Sequence, residues 1–262
     1  MSSSWNRLKT MRRPSATSNF AYSFGPGPVT PAIKLLIIAN VTIFLITALS
    51  PTLELVVNGN FGLQPRAIFE NLRIWQPATY MFLHAGIFHI LFNMLMLWMF
   101  GVELERMWGS RYFTKFYFVS GVGAALTTVG LSLTPLPFAE GLYHSLTIGA
   151  SGAIYGVLLA YALYFPHRPI YLYFVFPIPA RYFVLILGGI ALVSSTRGGG
   201  GVAHLTHLGG LVAAYLYLKG GTRTHLMSEI KYKYLKWRIN RMRRRFDVYS
   251  GGRANDVDRR VH

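Results

Sequence analysis

Ser151 lies in the run Gly149-Ala150-Ser151-Gly152-Ala153-Ile154-Tyr155-Gly156, and His207 in Val202-Ala203-His204-Leu205-Thr206-His207-Leu208-Gly209-Gly210. Both runs are otherwise small or apolar. A serine hydroxyl is a poor nucleophile until a hydrogen-bonded base removes its proton, and histidine is the usual base. The tetrahedral intermediate of acyl transfer then needs hydrogen-bond donors for its oxyanion, such as a backbone amide or the side chains of His and Asn. His84, His89 and Asn93 supply such groups in a third apolar stretch, with His89 and Asn93 four residues apart. Strongly polar side chains in apolar spans are costly, so each is by default a functional candidate. The alternative is that these groups are helix-packing hydrogen bonders, and the glycines a small-residue packing face.

The elements that must carry these residues follow from composition. The 262 residues are 52% apolar and only 13% charged, yet the net charge is +17. The charge is segregated. Residues 1–30 hold four basic and no acidic residues, and residues 219–262 hold 13 basic and four acidic. An apolar middle between basic ends argues against a soluble enzyme or a disordered chain and predicts a polytopic membrane protein. Six spans are expected, near residues 32–50, 78–100, 112–134, 147–165, 171–194 and 202–218, in an all-α bundle. The expected organisation is a basic tail over 1–30, a core over 31–218 and a basic tail over 219–262. Pro177 and Pro179 make the fifth span the least regular.

Lysine and arginine placement puts both termini in the cytoplasm, leaving only Arg66, Arg73 and Arg197 outside. Spans two, four and six then enter from the outer face. Ser151 and His207 are each expected five or six residues into their helices, roughly 8 Å below the outer end. Glycines permit a close contact between helices four and six, so a Ser–His dyad is the concrete expectation. His207 is preferred to His204 as base because Gly210 stands one turn away. No Asp or Glu falls within expected spans two, four, five or six, so Tyr155, one turn from Ser151, is expected to pack against the imidazole.

In combination these residues resemble the rhomboid family of intramembrane serine proteases. The resemblance covers about residues 33–218 and rests on ordered motifs: Trp75, then His84, His89 and Asn93, then Glu105 with Gly109-Ser110, then Gly149-Ala150-Ser151-Gly152, then Thr206-His207-Leu208-Gly209-Gly210. It implies Ser151 as nucleophile and His207 as general base. It implies an oxyanion hole from the Ser151 amide with His89 and Asn93, and His84 as hydrogen-bonding support for the first outer loop. It also implies Tyr155 stacked on the imidazole, and Gly149 and Gly152 giving space beside the nucleophile. Gln76 replaces a common arginine after Trp75, Ala214 replaces a frequent glycine, and Thr206 stands where alanine is common.

The resemblance implies single- or multi-span membrane protein substrates in the lipid bilayer, with no cofactor. The residues leave three rivals: a transporter, a metal site on His204 and His207, and a catalytically inactive rhomboid-like binding protein. There is no His-Glu-x-x-His sequence and no cysteine to complete a zinc set. Nucleic-acid binding is not expected, because the basic tails have an anionic membrane surface at hand. The expected location is a multi-pass integral protein of a bacterial-type plasma membrane. Residues 51–77 are expected to form an outer loop folded on the membrane surface with Trp75 at the interface. Arg197 to Gly201 reads as a flexible turn, and Leu226, Ile230, Tyr234 and Trp237 as one face of an amphipathic surface helix.

Overall fold

The computed structural model describes residues 25–172, 176–195 and 203–220, together with Lys236. The basic tail before residue 25, the glycine turn after Arg197 and the amphipathic carboxy-terminal segment lie outside the described residues.

The chain is mostly helical. Helix α1 (Pro31–Thr47) is followed by three short helices, α2 (Pro51–Phe61), α3 (Pro65–Asn71) and α4 (Gln76–Thr79), and a 3₁₀ turn at Tyr80–Phe82. Long helices α5 (Ile87–Trp108) and α6 (Ser110–Ser132) come next, then the short α7 (Ala139–His144) and the central α8 (Ser151–Tyr164). A hairpin of β1 (Pro169–Leu172) and β2 (Phe176–Pro179) leads into α9 (Ala180–Ser195), and α10 covers residues 203–220. Nine of the 14 residues of α8 are buried, on every side of the helix. A helix apolar all round belongs at the centre of a bundle, and α5, α6 and α9 pack around this one.

Helix α5 runs on past the expected end at residue 100, because its acidic residues have partners. Glu103 pairs with Arg168 at 2.7 Å. The Glu105 carboxylate accepts the backbone amides of Ala32 at 2.8 Å and Ile33 at 3.0 Å, the Ser110 hydroxyl at 2.5 Å and the Thr30 hydroxyl. Those amides are orphan donors of the first turn of α1, where a carboxylate also meets the positive end of the helix dipole. One side chain thus ties α1, α5 and α6 together.

Several expectations need correction. The second helix begins at Ile87 rather than near residue 78, so His84 lies in the connection before α5. The fourth begins at Ser151, not 147, which puts the serine at the helix start instead of five residues inside. The fold is not purely α: Pro177 and Pro179, which cannot donate within a helix, fall in a strand pairing Tyr171 with Pro177 and Pro169 with Pro179. The helix after them starts at Ala180. The excursion expected as a surface-folded loop over residues 51–77 carries three short helices, each with a proline in its first turn.

Large apolar side chains cover the outside of the bundle, among them Leu35, Ile38 and Leu45 of α1, Leu185, Ile186 and Ile190 of α9, and Val212 and Leu216 of α10. Contiguous apolar surface on this scale marks a face not meant for water. Among the described residues one helix, α5, is by itself long and apolar enough to cross a membrane.

Candidate active site

The backbone before Ser151 is irregular, yet its polar groups are paired. Leu63 and Thr147 form an antiparallel bridge with N···O distances of 2.9 and 2.8 Å. The Gly149 amide donates to the Tyr80 carbonyl at 2.9 Å. Gly149 has φ +125°, and a Cβ there would lie 2.8 Å from the His89 ring, so both conformation and space demand glycine. The chain then turns at Ala150 (φ −73°, ψ −8°), and Ser151 opens α8. As the first residue of a helix, Ser151 has an N–H without an intrahelical acceptor, at the positive end of the dipole.

Helix α10 brings the histidine. A Cβ on Gly210 would sit 2.0 Å from the Gly152 carbonyl oxygen, so the backbones of α8 and α10 meet at a distance that excludes any side chain. One turn earlier on α10, His207 Nε2 lies 2.7 Å from Ser151 Oγ. The Tyr155 ring stacks on the imidazole with centroids 4.3 Å apart and planes 6° apart. Thr206 points the other way, into the bundle, where its hydroxyl meets that of Thr128 at 2.7 Å. Gly152 also faces the bundle: a Cβ there would lie 2.7 Å from the Tyr80 hydroxyl and 2.9 Å from Ala124 Cβ. It lets α8 pack closely against α6.

The hydrogen bonds of His89 assign its tautomer. Its Nδ1 accepts the Ala85 backbone amide at 3.3 Å, which leaves the proton of a neutral ring on Nε2. That nitrogen faces Gly149, next to the serine. Asn93 Nδ2 donates to the His89 carbonyl at 2.7 Å, leaving its second N–H unused by that bond. His84 sits edge-on against His89, with centroids 5.0 Å apart. His84 is itself buried, so that ring contact is shielded from solvent. Among the described residues no three His, Cys, Asp or Glu side chains gather as metal ligands.

The family model described as Rhomboid domain matches residues 71–223, more than half of the chain. The chain belongs to the rhomboid family. With that family it is an integral membrane protein. It is 35% identical over 138 residues to Rhomboid protein 1, mitochondrial, of Saccharomyces cerevisiae, covering 52% of this chain and 38% of that protein. It is 36% identical over 98 residues to Rhomboid protease GluP of Bacillus subtilis, covering 37% and 17%. It is 34% identical over 95 residues to Rhomboid protease AarA of Providencia stuartii, covering 34% of each. The chain thus spans well under two thirds of these relatives. The mitochondrial name of the first stands against the expected bacterial-type plasma membrane, while the other two come from bacteria.

Two residues that brace the candidate site are not marked for that role by the sequence: Tyr80, and Gln76, which stands out there only as a departure from the usual arginine. Tyr80 is fully buried; its carbonyl holds Gly149 and its hydroxyl donates to the Gly121 carbonyl at 2.8 Å. It looked like one more aromatic in an apolar span, and nothing in its spacing marks it. Gln76 is buried too, its Oε1 accepting the Gln64 amide at 3.0 Å and its Nε2 donating to the Asn60 carbonyl at 3.3 Å. It fastens the segment through which Leu63 reaches Thr147. A polar amide beside Trp75 in an apolar stretch was the available signal.

Proposed function

We propose that this rhomboid is an intramembrane serine endopeptidase that cleaves membrane protein substrates with a Ser151–His207 dyad. The observation that carries the reading is the 2.7 Å approach of His207 Nε2 to Ser151 Oγ under the stacked Tyr155 ring. The serine hydroxyl donates to Nε2, and His207 takes its proton as Oγ attacks the scissile carbonyl. The developing oxyanion is held by the Ser151 N–H at the start of α8 and by His89 Nε2–H. The free N–H of Asn93 turns toward it. Collapse of the intermediate returns the proton from His207 to the leaving amine, and water repeats the cycle on the acyl-enzyme.

The six spans are α1, α5, α6, α8, α9 and α10, with both termini in the cytoplasm. Helix α8, at 14 residues, covers only about 21 Å of depth. It crosses because it begins inside, and the irregular residues before it are paired within the protein, the condition for non-helical backbone at membrane depth. A helical substrate segment must unwind to present its carbonyl there, so helix-destabilising residues near the cut favour cleavage. The protease reading is preferred to an inactive binding protein because serine, base and oxyanion donors all stand together, and to a transporter because Ser151, His207, His89 and Asn93 form one cluster and no path of charged groups.

The test is reconstitution in vesicles with a single-span model substrate. Ser151→Ala and His207→Ala should each lower cleavage by a factor of about 10⁴ or more while melting at the wild-type temperature. Cleavage surviving in both variants overturns the dyad.

A further inference from the structure

Among the described residues no carboxylate pairs with His207, yet the second nitrogen of that ring has work to do. With Nε2 accepting from Ser151, the neutral imidazole carries its proton on Nδ1, and the imidazolium formed during attack needs an acceptor there. His207 Nδ1 is buried without a hydrogen-bond partner. So is Nδ1 of His204, one turn earlier on the same face of α10. Their rings stand edge to face, with centroids 5.9 Å apart and planes at 78°. The two rings share no direct hydrogen bond, and one water, whose two hydrogen bonds span roughly 4.5–5.5 Å, is the smallest group that could join their nitrogens. Tyr155 covers one face of His207 with its ring and offers no acceptor there.

We propose that His204 is the positioning residue of the dyad: its Nδ1 accepts, through one water, the Nδ1–H of His207. The water accepts from His207 and donates to His204, whose own proton sits on Nε2. His204 thereby holds His207 in the tautomer that presents a bare Nε2 to Ser151, and takes the place of the acidic third member of soluble triads. A burial cost that would otherwise be unexplained for two imidazole nitrogens is offset by a two-partner water site. This inference rests on the Ser151–His207 reading above.

The experiment measures kcat and KM for the vesicle-reconstituted full chain, with fluorophosphonate labelling of Ser151 as a readout that does not depend on substrate binding. His204→Ala should lower kcat and the labelling rate together by about tenfold to a hundredfold with KM unchanged. His204→Asn, whose amide oxygen replaces Nδ1 as acceptor, should recover most of that loss. His204→Leu stands in for the alanine variant should the latter not fold. A rise in KM with kcat and labelling intact, or equal activity in the Ala or Leu and Asn variants, overturns the assignment. Ser151→Ala separates the two readings: cleavage that survives it removes the dyad itself, whereas its loss together with a silent His204→Ala removes only the role of His204.

Discussion

The two ends of helix α5 treat buried polar groups in opposite ways. At the carboxyl end, Glu105 meets four donors from α1, α6 and the residues before α1, and its carboxylate has no unmet demand. At the amino end His84 packs edge-on against His89, and His207 Nε2 lies 2.7 Å from Ser151 Oγ, so imidazoles and a hydroxyl meet one another there in place of a saturated carboxylate. The saturated end is built for stability. The other end gathers a hydroxyl and imidazoles whose hydrogen-bonding capacity the proposed reaction uses.

Substitutions at the two ends should therefore separate chemistry from stability. The largest effect is expected for His89→Ala, which removes an oxyanion donor: kcat should fall by about 10²–10³, with a stability change under about 1 kcal/mol in thermal unfolding in micelles. An equal loss of stability would mean that the amino end is structural after all. Glu105→Gln comes next and should do the reverse. Its amide presents donors to donors, costing about 2–4 kcal/mol of stability, while fluorophosphonate labelling of the folded fraction keeps its wild-type rate. Slower labelling would show that the two ends are coupled. The smallest effect is expected for Tyr155→Phe, which keeps the stacked ring and loses only the hydroxyl, so kcat should stay within about threefold of wild type. A large loss would give the hydroxyl a role of its own.

Residue types located the site better than they located the elements holding it. Ser151, His207 and Tyr155 were legible because a hydroxyl, an imidazole and a phenol at helical spacing in apolar segments have few other uses. The close approach of α8 and α10 was legible in Gly210. The start of α8 was not. Residues 147–150 are as apolar as the helix that follows, and what keeps them irregular is a bridge to Leu63 and a bond to Tyr80, both distant in sequence. Hydropathy reads burial, and buried irregular backbone paired within the protein looks the same as buried helix. The same limit hid the break before α5, where His84 leaves the helix. The hairpin before α9 is the converse case: Pro177 and Pro179 announced that a helix would fail there, but not that Tyr171 and its neighbours would pair with them. The tautomer of His89 depends on a bond from Ala85, which only coordinates reveal.

The bridge between Leu63 and Thr147 has a mechanical meaning. It makes the excursion between α1 and α5 and the stretch of chain leading to Ser151 one piece, clamped at Gln76 on one side and at Tyr80 on the other. A load applied to that excursion, by a docking segment or by a change in bilayer thickness, arrives at Ser151 through two backbone hydrogen bonds and no flexible side chain. The position of Ser151 is thus set as much by chain from the far side of α5 as by its own helix.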